Sequence, residues 1–154
     1  MRTAPLLIAW LVGGASFAAD MPNGSKRAFP AKVHVASSRP IEGGRVELDV
    51  RLVMDKGVEI YAPNPASDPW MKDGELKVSV IGTDGKAIPA DIIYPKPTSI
   101  LELEDGTKFH LLSGTASILV RITPQQKLKV RCDVVGMGQR VRCLGVGRLE
   151  ADIP

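Results

Sequence analysis

The stretch VELDVRLVM, Val46 to Met54, sets Val46, Leu48, Val50 and Leu52 on one side of the chain and Glu47, Asp49 and Arg51 on the other. Alternation with a period of two is the pattern of a β-strand with one buried face. It returns in LKVSVIG, ASILVRI and LKVRCDV, and turn-forming clusters separate the runs: Glu42-Gly43-Gly44, Asp73-Gly74, Thr83-Asp84-Gly85, Asp105-Gly106 and Ser113-Gly114. After the first residues no segment carries a helical stripe of useful length. Eight or nine short strands at this spacing predict an all-β domain, an immunoglobulin-like antiparallel β-sandwich. There is no internal repeat and no low-complexity tract.

The opening MRTAPLLIAWLVGGASFAAD breaks this pattern, with one early cation at Arg2, an apolar run from Pro5 to Ala18 and small residues at Ser16 and Ala18. That is the layout of a signal peptide over residues 1–18, too short to cross a bilayer as a stable span. ADMPNGSKRAFP, residues 19–30, is polar, carries Pro and Gly and has no periodicity, so it reads as a flexible leader. Residues 31–154 form the domain. Loss of 18 of the 154 residues leaves enough chain for one core and not for two.

Charge removes several function classes. The net charge falls from +3 to +2 once Arg2 leaves, and the longest basic run is Lys26-Arg27. This predicts no nucleic-acid partner and no stable membrane insertion after signal cleavage. HExxH, GxSxG and a phosphate loop are absent, and Gly145-Val146-Gly147 meets Glu150 where a dinucleotide fingerprint needs its third glycine. His34 and His110 are far apart in sequence. Glu102, Glu104 and Asp105 read as a solvated turn more simply than as acid-base machinery. No cofactor and no dedicated metal site are expected.

What remains is RCDVVGMGQRVRC, Arg131 to Cys143, which holds both cysteines, each after an arginine. Gly136-Met137-Gly138-Gln139 reads as a turn, so the segment predicts a hairpin centred between Met137 and Gly138. Val134 then faces Val141, and Cys132 faces Cys143. Opposed alpha carbons in an antiparallel pair stand ~4.5–5.5 Å apart, within disulfide range. On this register Val130, Cys132, Val134, Val141 and Cys143 share an apolar face, Arg131, Asp133, Arg140 and Arg142 share the other, and Asp133 lies opposite Arg142. Three roles stay open for the thiols: a structural bridge closing the hairpin, a redox pair, or a soft-metal site with Met137 as third sulfur. A separate reading makes the chain a binding or scaffold domain with a structural disulfide, with APNPASDPW, Ala62 to Trp70, presenting Trp70 to a partner.

Three further segments bear on the choice. Gly57-Val58-Glu59-Ile60-Tyr61-Ala62-Pro63-Asn64-Pro65 resembles the G-x-x-[IL]-Y-A-x-x-P segment of the N-terminal periplasmic domain of DsbD-type thiol:disulfide interchange proteins. Tyr94-Pro95-Lys96-Pro97 is similar to that family's Y-P-x-P. Ser113-Gly114, a strand and a Cys...Cys-Leu hairpin follow in the family's order. The resemblance implies an immunoglobulin-like sandwich in the periplasm with thiol:disulfide interchange activity through Cys132 and Cys143. It implies a cap loop in which Phe109 covers the pair and Glu104 or Asp105 supplies nearby acids. It also implies a thioredoxin-like protein or a membrane thiol:disulfide reductase as partner.

Overall fold

The computed structural model describes residues 28–138 and 142–154. The signal reading of residues 1–18 and most of the leader reading therefore lie outside the described residues. Strands β1 (Ala31–Ile41), β2 (Arg45–Met54), β9 (Thr115–Ile122) and β6 (Asp91–Ile93) form one antiparallel sheet in the order β1-β2-β9-β6. The second sheet runs β5-β4-β10-β3-β8-β7, from β5 (Ala87–Ile88), β4 (Lys77–Ile81), β10 (Lys129–Gly138), β3 (Glu59–Tyr61), β8 (Lys108–Ser113) and β7 (Ser99–Glu102). Strand β11 (Arg142–Asp152) pairs along the other edge of β10. The two layers pack as the expected sandwich. Eleven strands among the described residues exceed the eight or nine expected, because β5, β6 and β7 are only two to four residues long and too short to display alternation.

The alternating runs meet face to face between the sheets. Leu48, Val50 and Leu52 of β2 and Ile118, Val120 and Ile122 of β9 are buried against Val78, Val80, Val130 and Val134 of the larger sheet. The chain's one α-helix among the described residues, α1 (Pro69–Lys72), is four residues long, with Pro69 in its first turn where a missing N–H costs nothing. It lies in the connection between β3 and β4, where it carries Trp70 past the outer face of the larger sheet.

Glu47 departs from the pattern. Its parity puts it on the outer face of the smaller sheet, yet it is only 4% exposed. The register explains this: Arg39 of β1 and Arg121 of β9 are its direct neighbours on either side. Arg121 Nε donates to Oε2 at 2.8 Å and Arg39 Nε to Oε1 at 2.8 Å, so two guanidinium groups roof the carboxylate. Those hydrogen bonds, Arg121's first, hold the Glu47 carboxyl below the usual range. A lowered folded value stabilises the fold fully above the unfolded-chain value of about 4.3, and that contribution is lost as pH falls through the folded value. Thermal melts between neutral pH and pH ~3 should therefore show an acid limb that is reduced in Glu47→Gln. An unchanged limb in the variant would remove Glu47 from the acid sensitivity.

Candidate functional site

Strand β10 has β11 along one edge throughout, and β4 (at Lys129 to Asp133) and then β3 (at Gly136 and Met137) along the other, and this fixes where each thiol lies. Val130, Cys132 and Val134 project into the core, while Arg131, Asp133 and Val135 project outward. Cys132 is fully buried, with Val78 of β4 opposite on one side and Leu149 of β11 on the other. Nearby, the Tyr94 hydroxyl accepts the Val78 N–H at 3.0 Å. Burial, and after it the Asp133 charge, pushes the Cys132 thiol up to about 12, so at neutral pH it holds its proton.

The hairpin does not turn where its glycines suggest. The β10–β11 ladder pairs Gly136 with Gly145, Met137 with Cys143 and Gly138 with Arg142. Met137 and Gly138 are thus strand residues, and residues 139–141, with the expected positions of Arg140 and Val141, lie outside the described residues. Val134 faces Gly147 instead of Val141, and Asp133 faces Arg148 instead of Arg142, with Arg148 Nε donating to its carboxylate at 2.6 Å. The expected opposition of Cys132 and Cys143 is likewise corrected.

The physical reason lies outside the hairpin. Gly136 and Gly147 make room for the Phe29 ring: a Cβ at Gly136 would stand 2.6 Å from its tip, and one at Gly147 2.5 Å from its Cγ. These glycines serve close approach, not a turn. Phe29 belongs to the stretch read as leader, but here its ring packs against the core.

The register leaves the two thiols unlike. Both cysteines are free, Cys132 buried and Cys143 exposed. Cys143 pairs with Met137, an odd number of residues from Cys132, so the sulfurs project from opposite faces of the sheet. Met137 lies five positions along β10 from Cys132, about 17 Å at ~3.3 Å per residue, well beyond the ~7 Å between alpha carbons that a disulfide allows. The arginine reading survives in part: Arg131 points away from Cys132 and donates to Glu150 at 2.8 Å.

Cys143 opens onto the outer face of the larger sheet. Glu59 pairs with Met137 across β3, so Glu59, Met137 and Cys143 lie in one row. Tyr61 is the next residue of β3 on this face, and its phenol is pushed up by burial first, then by the Cys143 and Glu59 charges. Its ring packs on Phe109, centroids 5.5 Å apart and planes tilted 58°. Phe109 lies in β8 itself, four positions along from Ser113, the β8 residue level with Glu59. That sets it about 13 Å along the sheet from the row of Cys143. Glu104 and Asp105 stand exposed at the tip of the β7–β8 turn beyond it, where the Thr107 N–H donates to Asp105 Oδ1 at 2.9 Å. The structure therefore joins Phe109 to Tyr61 and Tyr61 to the neighbourhood of Cys143, and leaves Glu104 and Asp105 apart from both sulfurs.

Beside Tyr61 is a cavity of about 260 Å³, walled by Tyr61, Phe109 and Trp70 with Val135 and Glu75. Sequence reasoning singled out Trp70 and Phe109 separately. Nothing local in the chain joins positions 61, 70, 75 and 109, which meet only through the pairing of β3 with β8 and the crossing of α1.

Fold and site define an immunoglobulin-like antiparallel sandwich with an asymmetric pair of thiols on its last hairpin. Among solved structures, the chain is similar to the reduced N-terminal domain of DsbD from Neisseria meningitidis, at 15% identity and a TM-score of 0.47, over 75% of this chain and 81% of that one. It is similar also to a structure of the complex between the DsbD N-terminal and PilB N-terminal domains from the same organism, at 14% identity and a TM-score of 0.47, over 80% of this chain and 81% of that one. No family profile matches the chain, and no curated protein matches it. Among the described residues no helix is long and apolar enough to cross a membrane.

Proposed function

We propose that the chain is a periplasmic thiol-disulfide exchange module in which Cys143 meets the partner and Cys132 is held in reserve. The observation that carries this reading is the asymmetry of the thiols. One is exposed on an aromatic face, and the other is sealed in the core with its proton retained to about pH 12. The residue motifs shared with DsbD-type domains support the same chemistry and a thioredoxin-like partner, with a membrane thiol:disulfide reductase as the source of electrons.

In the exchange, the Cys143 thiolate attacks one sulfur of the partner's disulfide. The partner's S–S bond breaks, its second sulfur leaves as a thiolate and takes up a proton, and a mixed disulfide holds the two proteins together. Cys132, once freed from the core, gives up its proton to solvent and attacks the Cys143 sulfur as a thiolate; the bond between Cys143 and the partner breaks, and the partner's first sulfur leaves as a thiolate that takes up a proton. Two electrons have passed to the partner, and the chain carries a Cys132–Cys143 bridge. Closing that bridge requires the distal part of β11 to lift from β10. Three features favour such motion: β11 is an edge strand, its ladder shifts register at Leu144, and Gly145 has a φ of 78°. On this reading Tyr61, backed by Phe109, is the aromatic beside the reactive sulfur.

Trapping tests the assignment. Cys132→Ser should accumulate a mixed disulfide with a thioredoxin-like protein in cells, while Cys143→Ser should accumulate none. Equal trapping by both variants, or none by either, would count against it. Mild oxidation of the wild-type domain should also remove two hydrogens by intact mass without dimerisation. If it does not, the second reading stands, a non-enzymatic exported binding domain. That reading is favoured by the aromatic cavity, and in it the cysteines stay free instead of forming the structural disulfide that an opposed hairpin would hold.

A further inference from the structure

We propose that the cavity beside Tyr61 binds a small soluble quaternary ammonium cation. Tyr61, Phe109 and Trp70 supply three aromatic walls, two of them in tilted contact with centroids 5.5 Å apart. Ring faces carry negative potential, and a cation enclosed by several of them gains from each, most from tryptophan. Trp70 stands 70% exposed on a four-residue helix, so one wall is open to an entering ligand.

Charge on the wall agrees. Glu75 lines the cavity and makes no salt bridge among the described residues. In the adjoining groove Asp73 and Glu75 outnumber Lys77, Asp133 being paired with Arg148. An alkylated ammonium suits this lining better than a primary one. A primary ammonium brings three N–H donors that need acceptors once out of water, whereas apart from Glu75, Ser67, His110 and the Tyr61 phenol this lining is apolar or aromatic. A quaternary ion has no N–H to satisfy. Size points the same way, since about 260 Å³ lies just under the ~300–1,000 Å³ of sites for drug-sized ligands and suits a headgroup-sized one.

Trp70 makes the test direct, because the only other tryptophan, Trp10, lies in the signal segment. Choline and tetramethylammonium, titrated into the domain lacking residues 1–18, should give a saturable change in tryptophan fluorescence. The neutral isostere 3,3-dimethylbutanol should bind about tenfold more weakly. Phe109→Leu and Glu75→Gln should each weaken choline several-fold while retaining the thermal transition, and Cys143→Ser should leave it unchanged, which separates this site from the thiol chemistry. Equal affinity for the alcohol would overturn the proposal in favour of a merely apolar pocket. So would the absence of any saturable response by ~10 mM. Cosedimentation with phosphatidylcholine vesicles would overturn the assignment to a soluble ligand in favour of a lipid headgroup.

Discussion

Raising the pH from about 8.5 to about 10.5 is expected to cost this fold roughly 2 kcal/mol through Cys132 alone. The unfolded chain ionises its thiols near pH 8.5, whereas the folded chain keeps the Cys132 proton to about 12. Between those values the unfolded state is the one that sheds the proton, so stability falls with rising pH at about 1.4 kcal/mol per unit. The stabilisation is fully present below the unfolded value and is lost as pH climbs toward the folded one. Denaturant titrations in a Cys143→Ser background, which prevents oxidation, should show this alkaline limb. Cys132→Val should flatten it, being close in volume and unable to ionise. Tyr61 and Tyr94, whose phenols burial also pushes up, add to the loss at still higher pH but are present in both proteins. Identical limbs with and without the thiol would show that Cys132 is not held neutral in a dry core. A loss of this size is a large share of the ~5–15 kcal/mol that stabilises an ordinary domain.

Gly147→Ala is expected to unseat Phe29. The new methyl would stand 2.5 Å from the Phe29 Cγ and Cδ2 and 2.9 Å from its Cβ, close to the root of the side chain, where a rotamer change gives little relief. Overpacking of this kind costs about 1–3 kcal/mol, which for a domain of this length lowers Tm by several degrees. The decisive measurement is the double mutant. Phe29→Ala destabilises by itself, but adding Gly147→Ala to it should then cost little, because the two groups act on one space. Strict additivity would mean that Phe29 does not occupy the slot.

That contact also shows why the sequence was legible in some places and not in others. The alternation of β2, β4, β9 and β10 was readable because each strand states its own buried face, and Leu48, Val50 and Leu52 are buried as their spacing requires. The hairpin register was not, because Gly136 looks the same whether it serves a turn or admits a ring. The residue that decides lies more than a hundred positions away, in a stretch with no periodicity. Glu47 repeats the lesson: parity placed it outward correctly, while its burial depends on arginines contributed by β1 and β9. Cys132 was assigned its apolar face correctly, but the face of Cys143 depended on the register and inverted with it. The aromatic cavity had no local signature, since its walls come from β3, β8 and α1. The family-like segments, in contrast, marked Tyr61 and the cysteine strands without resolving how the last two strands pair.

The seat of Phe29 has a consequence for how the chain reaches its native state. The ring can settle only after β11 has laid Gly147 beside β10, so a residue just ahead of β1 waits for the last strand. Contacts that span the whole chain form late and slowly. Until then Gly136 and Gly147 line an empty slot at the edge of the core. A version of the domain beginning at Ala31 would leave that slot unfilled for good, exposing apolar surface at the β10–β11 pair that the Phe29 ring otherwise covers.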